Sequence, residues 1–490
     1  MKFTLSWLKS HLDTEADLAT ITGRLTMLGL EVDAVIDRSQ ELAPFRVAYV
    51  VSAEPHPNAD KLRVCLVDTG VERIQVVCGV PNARTGLKAV FAPGGSTIPR
   101  NGMVLKPSTI RGVASNGMLC SAFEMGLSDD HDGIIELPAD APVGQPFARV
   151  MGLDDPLLDV KITANRADCL GVRGIARDLA ASGLGRLKPL DTQKIPGRFP
   201  SPIGVEITDT TACPLFLGRS IRGVRNGPSP RWLQDRLLSI GLRPISALVD
   251  LTNFMTFDLD RPLHVFDAGK LTGGLVLRSA RSGESLSALN GKEYALEPGM
   301  TAICDESGVV SLAGVIGGDS TGCSETTRDV FIEAALFDPV RTAATGRRLN
   351  LQSDARYRFE RGLDPAFVYE AMEIATRLVL DLCGGEPGEI TVAGAEPDWQ
   401  RSVTLRPDRT ATLGGLAVEE AEITRILTAL GCRLEQADGR FEVALPSWRG
   451  DIEGEADLVE EVLRIHGYDH IPVVPMRLAT ALPRPALDPA

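Results

Sequence analysis

Four features of this 490-residue chain could carry chemistry. Asp451, Glu453, Glu455, Asp457, Glu460 and Glu461 place six carboxylates within eleven residues, with no base between them. On a helix Asp457, Glu460 and Glu461 share a face with Arg464, while Leu458, Val462 and Ile465 point the other way. Carboxylates three and four apart repel unless a cation or a partner neutralises them. Such an oxygen-rich set suits Mg²⁺, which takes one or two carboxylates plus waters. The plainer reading is a solvated acidic helix face, and periodicity alone favours it. Glu333 stands in the apolar run VFIEAALF, where an unpaired buried carboxylate is costly. Either it has a partner such as Arg243, Arg347 or Arg348, or it faces a polar pocket. His264, in DRPLHVFD, sits beside Pro, Leu and Phe, the usual setting of a packed core histidine. Gly314, Gly317 and Gly318 in AGVIGGDSTG let backbone approach a ligand, but they match neither the GxxxxGKS nor the dinucleotide pattern.

Elements must position these residues. Leu5, Leu8 and Leu12, then Leu18, Ile21, Leu25 and Leu28, predict two short helices, with Thr14 and Asp17 at capping-box spacing and a stop at Gly29. This pair is too small to fold alone. From about Ser39 to Val150 the texture is β: five or so short strands with Gly turns predict a small barrel, the OB-fold being the favoured type. Residues 157–185 read as a strand, the polar turn 164–168 and a helix that covers the N-terminal pair. A mixed α/β region spans about 205–392, with helices opened by Ser229-Pro230 and Asp338-Pro339. A last unit from about 403 to 475 alternates strands and two helices.

Composition bounds the class. Apolar residues make up 44% and charged residues 24%, so the chain is neither disordered nor fibrous. The net charge of −14 argues against a polycation built throughout for nucleic acid. It is partly local: residues 400–476 hold 8 basic and 14 acidic groups, whereas 39–150 hold 10 and 11. Lys61, Arg63, Arg84, Lys88 and Arg111 are therefore candidates for a basic face on the barrel. No apolar run approaches the roughly 18 residues of a membrane span, and the N-terminus does not read as a signal peptide. Nine dispersed cysteines without a CxxC suggest reduced thiols and a cytoplasmic location.

Many motifs stand in order: HPNADKLRV, VCGVPNARTGLKAVFAPGG, SDDHDGIIELP, ITANRADCLGVRGIARDLA, RPISALVDLTNF, RPLHVFD, LAGVIGGDSTG, SDARYRFERGLDP and PSWRGDIEGEADLVEEVLRIHGYDHIP. Together they resemble the β subunit of bacterial phenylalanyl-tRNA synthetase over essentially the whole chain. The resemblance implies a multidomain α+β fold. Residues 1–38 plus 151–190 form a discontinuous N-terminal domain, into which an OB-fold tRNA-binding domain, 39–150, is inserted. Residues 204–393 form a mixed α/β editing (B3/B4-like) domain, 400–476 a small α+β B5-like Mg²⁺-binding domain, and 477–490 a tail.

The same resemblance implies support of ATP-dependent attachment of phenylalanine to tRNA(Phe), in a heterotetramer of two α and two β subunits. The synthetic centre lies on the separate α subunit, and neither membrane nor DNA is an expected partner. It also implies hydrolysis of misacylated tyrosyl-tRNA(Phe), in a pocket carried here by Glu333, His264, Arg243, Thr252, Gly317, Ser353 and Ala355. Water is the expected nucleophile, since no side chain of the set is a strong base. Mg²⁺ falls to Asp451, Asp457, Glu460 and Glu461. Editing has a physical rationale: a phenylalanine pocket rejects one added hydroxyl poorly, whereas a second site that hydrogen-bonds that hydroxyl discriminates well. Ser353 stands where threonine is frequent in the family, keeping the hydroxyl and losing the methyl. The chain ends soon after YDHIP, short of the synthetase-like core and anticodon-contacting domain that the resemblance leads one to expect. The alternative is a non-catalytic tRNA-binding and assembly module. Glu333, His264 and the Gly loop favour the enzyme.

Overall fold

The computed structural model describes residues 1–129 and 132–473. The strand Lys2–Thr4 runs into the helix Leu5–His11, whose first turn is capped by the Thr4 hydroxyl accepting from the Trp7 N–H at 3.3 Å. The second helix, Leu18–Met27, begins at Asp17, whose carboxylate accepts from the Thr20 N–H at 2.8 Å. Asp17 is thus itself the N-cap, rather than the far member of a box opened by Thr14. The strands Lys2–Thr4 and Val32–Ile36 flank Leu157–Val160 in an antiparallel sheet, with Phe3 and Val35 both opposite Leu158. Trp7, Leu8 and Leu25 share one core with Ile175 and Leu179 of the helix Val172–Ala181. The first forty residues therefore bury their apolar faces only when the chain returns after residue 150.

The segment between is a five-stranded antiparallel sheet. Its order is Met118–Leu119, Lys88–Ala92, Arg46–His56, Ala59–Asp68, Arg73–Cys78. It closes on itself: the Asn116 N–H donates to the Gln75 carbonyl at 3.0 Å, and the Val77 N–H to the Ser115 hydroxyl at 3.0 Å. Its interior holds Ala48, Val50, Cys65, Val67 and Val76.

Two sheets organise the central region. A four-stranded antiparallel sheet has the order His264–Asp267, Val330–Leu336, Leu215–Arg222, Glu386–Gly394. One face, with Leu217, Val265 and Ile332, is covered by the helices Ala247–Leu259 and Val368–Cys383 through Leu248, Leu251, Met372 and Val379. The other face, with Phe216, Phe266 and Phe331, packs on Leu277, Ile303 and Val310 of a second, five-stranded sheet. A strand buried on both faces reads as a continuous apolar run, which is why VFIEAALF shows no alternation. The pleat still alternates, and it puts Glu333 on the inter-sheet face with Phe331 and Ala335.

The last unit is the three-stranded sheet Ser402–Leu405, Arg440–Ala444, Arg433–Ala437, with helices Glu420–Ala429 and Glu455–His466. Its Ile426, Leu458 and Val462 belong to the same core as Trp7 and Ile175, so it packs directly on the N-terminal unit. The expected tail 477–490, and residues 474–476 of the expected 400–476 unit, lie outside the described residues.

Candidate functional site

The antiparallel register sets His264 directly opposite Glu333 on neighbouring strands, so their side chains leave the sheet side by side. Gly317, from the second sheet, closes the group: a Cβ there would lie against His264 Cε1 and 3.0 Å from Nε2. Three of the seven pocket candidates thus meet between the two sheets. Glu333 Oε2 and His264 Nε2 are both buried and lack a hydrogen-bond partner. Neither suggested cation at the end of the next helix neutralises the acid: Arg348 pairs with Glu297 at 2.9 Å, and Arg347 makes no bond to Glu333. Burial pushes the Glu333 carboxyl up to about 8 and the His264 imidazole down to about 4. Near neutral pH the pair is therefore a carboxylic acid beside a neutral imidazole. A protonated carboxyl both donates and accepts, so it can engage a phenolic hydroxyl in either sense. An imidazole so poorly basic is not a strong general base.

Ser353 and Ala355 lie one layer out. The Ser353 hydroxyl donates to the Val315 carbonyl at 2.6 Å and accepts from the Arg356 N–H at 3.0 Å, capping the helix Asp354–Phe359. It ties that helix to the Gly loop, and its hydroxyl is already committed. Ala355 packs against the inter-sheet core. The loop glycines divide by role: Gly314 and Gly318 have no room for a Cβ, against Phe337 and the Val310 carbonyl respectively, so packing requires them.

Thr252 and Arg243 are not brought to Glu333. Thr252 sits on the helix covering the opposite face of the sheet, and its hydroxyl donates to the Val249 carbonyl at 2.8 Å. Arg243 is exposed in the loop before that helix. Sequence reasoning missed Phe266, whose ring meets His264 edge-on at 4.3 Å, and Leu289. The Leu289 N–H donates to the Gly317 carbonyl at 3.0 Å from an otherwise exposed hairpin tip, a pairing no local pattern announces.

The acidic cluster behaves differently from both sequence readings. Asp451 accepts two bonds from Arg449 at 2.8 Å, and Glu461 takes Arg449 and, at 2.6 Å, Arg464. Arg464 continues to Asp178 at 2.9 Å, and Asp178 also takes Arg166, itself paired with Asp168. All of these groups are largely buried between the helices Val172–Ala181 and Glu455–His466. Against the desolvation of burial, Arg464 and Arg449 hold Glu461 down at about 2. Asp457 spends one oxygen on the Glu453 and Gly454 N–H groups at the helix start, and Glu460 is exposed. The expected Mg²⁺ quartet therefore does not converge. Two of its carboxylates already have cations, so the four do not fit one Mg²⁺. Among the described residues the carboxylate and thiol atoms spaced for a metal belong to Asp168, Cys169 and Asp178, and arginines fill that cluster too.

On the barrel, Arg84 makes a bidentate pair with Glu136 at 2.6 and 2.7 Å, and Lys88 donates to the Ala141 carbonyl at 2.6 Å. Both were candidates for the basic face, and both are occupied within the domain. Lys61, Arg63 and Arg111 are exposed. Lys61 and Arg63 project from one side of their strand. The Arg111 turn is tied to the adjoining hairpin tip by Asn58 donating to the Arg111 carbonyl at 2.9 Å.

Three family models match in chain order: a tRNA binding domain over residues 45–146, a B3/4 domain over 212–384 and a tRNA synthetase B5 domain over 403–468. The barrel is thus similar to a tRNA binding domain, the two-sheet module to a B3/4 domain and the small α+β unit to a tRNA synthetase B5 domain. The chain is 58% identical over 494 aligned positions to the phenylalanine–tRNA ligase β subunit of Paramagnetospirillum magneticum, and 56% identical to those of Rhodospirillum rubrum and Cereibacter sphaeroides. Each alignment takes in 100% of this chain and 62% of the relative. Over its whole length the chain is similar to phenylalanine–tRNA ligase β subunits, and it spans about 62% of the length of these relatives. No helix among the described residues is long and apolar enough to cross a membrane.

Proposed function

We propose that the chain serves a cytoplasmic, ATP-dependent phenylalanine–tRNA ligase as its β component, and that its central region removes tyrosine wrongly attached to tRNA(Phe). Aminoacylation belongs to a separate α subunit, in an assembly of two α and two β chains. Lys61, Arg63 and Arg111 supply the barrel's phosphate contacts. The observation that carries the editing reading is the buried, unpartnered Glu333 carboxyl beside His264 and Gly317. A tyrosyl hydroxyl entering this gap satisfies Glu333; a phenylalanyl ring leaves it unpaired, which costs about 1–3 kcal/mol. This is the asymmetry an editing site needs. Glu333 recognises the side chain, His264 orients the ring, and water is the nucleophile. Mg²⁺ is given no step, because Asp451 and Glu461 are spent on Arg449 and Arg464.

The test is deacylation of tyrosyl-tRNA(Phe) by the chain and by Glu333→Ala. The variant is expected to lose about tenfold or more of the rate while leaving phenylalanyl-tRNA untouched. Unchanged tyrosyl-tRNA turnover, or no turnover by the parent chain, would leave the non-catalytic tRNA-binding module as the reading.

A further inference from the structure

Where the three larger units meet, a cavity of about 420 Å³ is left without a role by the editing reading. Its walls include Arg173 and Arg177 from the ANRADCLGVRGIARDLA segment, Asp260 at the end of the helix Ala247–Leu259, Phe367, and Trp448 from the last unit. Two of its polar atoms lack a hydrogen bond. Arg177 stacks 4.1 Å from the centre of the Trp448 ring, and its Nη1 is buried without a hydrogen-bond partner. Asp260 Oδ1 is likewise buried without a hydrogen bond, and its ion pair is with Arg358, whose Nε lies 3.4 Å away.

The backbone at Asp260 is also unusual. Its φ of +55° is left-handed, a conformation costing a non-glycine residue roughly 1–2 kcal/mol. Gly171 packs so closely on this turn that a Cβ would stand 2.5 Å from the Asp260 nitrogen. The fold thus holds a left-handed turn that brings a carboxyl group to the cavity that Arg173 and Arg177 also line. Arg173 Nη1 donates to the Lys188 carbonyl at 3.0 Å, and among the described residues neither Arg173 nor Arg177 is in an ion pair.

We infer that this cavity binds a free α-amino acid, its carboxylate on Arg177 and Arg173 and its ammonium on Asp260. An anion alone would satisfy the arginines and leave Asp260 Oδ1 without a hydrogen bond; a cation alone would do the reverse. A zwitterion meets both, and its side chain lies along Phe367 and Trp448. The volume is that of a small-molecule pocket, and the site is distinct from the Glu333 pocket.

The experiment is isothermal titration of the 490-residue chain with each protein amino acid singly, with sodium acetate, methylammonium chloride and sodium phosphate as single-charge controls. At least one amino acid is expected to bind saturably and at least about tenfold more tightly than any control, since it hydrogen-bonds both groups. Arg177→Met and Asp260→Asn should each weaken it about tenfold or more, and Glu333→Ala should not. Asparagine tolerates the left-handed turn, so Asp260→Asn keeps the test valid if Arg177→Met misfolds. Absence of saturable binding, equal affinity for acetate or phosphate, insensitivity to Asp260→Asn, or loss on Glu333→Ala would each overturn the assignment. The last of these would place the ligand in the editing pocket.

Discussion

At the scale of single residues, Glu333 makes stability depend on pH. Its carboxyl titrates near 4.5 in the unfolded chain and at about 8 when buried. Below pH 4.5 both states hold the proton and the group costs nothing. Between 4.5 and 8 only the folded chain keeps it, so stability falls as pH rises through this window and levels off above it. The full cost is on the order of 4–5 kcal/mol. His264 acts at the other end: its value is lowered to about 4, so its contribution is lost as pH falls from 6.5 through 4. Glu333→Gln removes the first dependence and leaves the second. Denaturant unfolding should show the variant gaining several kcal/mol on wild type between pH 5 and pH 8.5. An equal difference at both pH values would mean that Glu333 ionises freely in the fold. The residue was conspicuous in sequence because a carboxylate in VFIEAALF has no local justification. What sequence could not supply was that its carboxyl lacks a partner, since Arg243, Arg347 and Arg348 were all candidate partners until the register was known.

Elements decide which candidates meet. The strand Val330–Leu336 has a direction and a pleat, and these put Glu333 opposite His264 and away from the helix carrying Thr252. Gly317 completes the pocket from another sheet by offering no side chain where the imidazole lies. Gly317→Ala is therefore expected to push His264 out of place. The cost is about 1–3 kcal/mol of stability, as for an overpacked core, with tyrosyl-tRNA hydrolysis falling more than tenfold for roughly an ångström of displacement. Thermal unfolding and single-turnover deacylation measure the two effects. Unimpaired hydrolysis would show that the His264 position is not needed. The helix start at Asp338 was legible, since Asp338 caps its helix ahead of Pro339 as read; that Asp17 and Ser353 are N-caps was not read from the sequence. The sandwiching of the central sheet was not, because a run apolar on both faces carries no sign of what covers each.

Over the whole molecule, a buried chain of charges joins units far apart in sequence. Asp178 holds both Arg166 and Arg464, and through Arg464 it reaches Glu461 and Arg449. Nearby, Asp258 accepts from Trp7 Nε1 at 2.6 Å and lies 2.6 Å from His11 Nε2, pinning the first helix to the central region. Removing one member of a buried network strands the others, typically costing about 3–5 kcal/mol. Asp178→Asn should therefore lower the urea midpoint by that equivalent and loosen the last unit, with Trp448 fluorescence shifting ahead of global unfolding. A loss below about 1 kcal/mol would mean that the apolar core alone holds the units together.

The sequence by itself determined the order of the units, several helix starts, the β texture of residues 39–150, and the family resemblance, with which came the expectation of an inserted domain. These follow from local periodicity, turn chemistry and strings of motifs, all of which are properties of neighbours along the chain. Only the tertiary structure decided what the charged residues do. The acids of 451–461 were read first as a solvated face and then as a metal site; the fold spends Asp451 and Glu461 on arginines, one of which is bound in turn by Asp178. The barrel's Arg84 and Lys88 were candidates for nucleic acid, yet they pair inside their own domain. The physical reason is that a charge's role is set by the nearest opposite charge and the water it has lost, and both depend on how the fold brings segments together: Arg84 meets Glu136 52 positions on, and Arg464 meets Asp178 286 positions back.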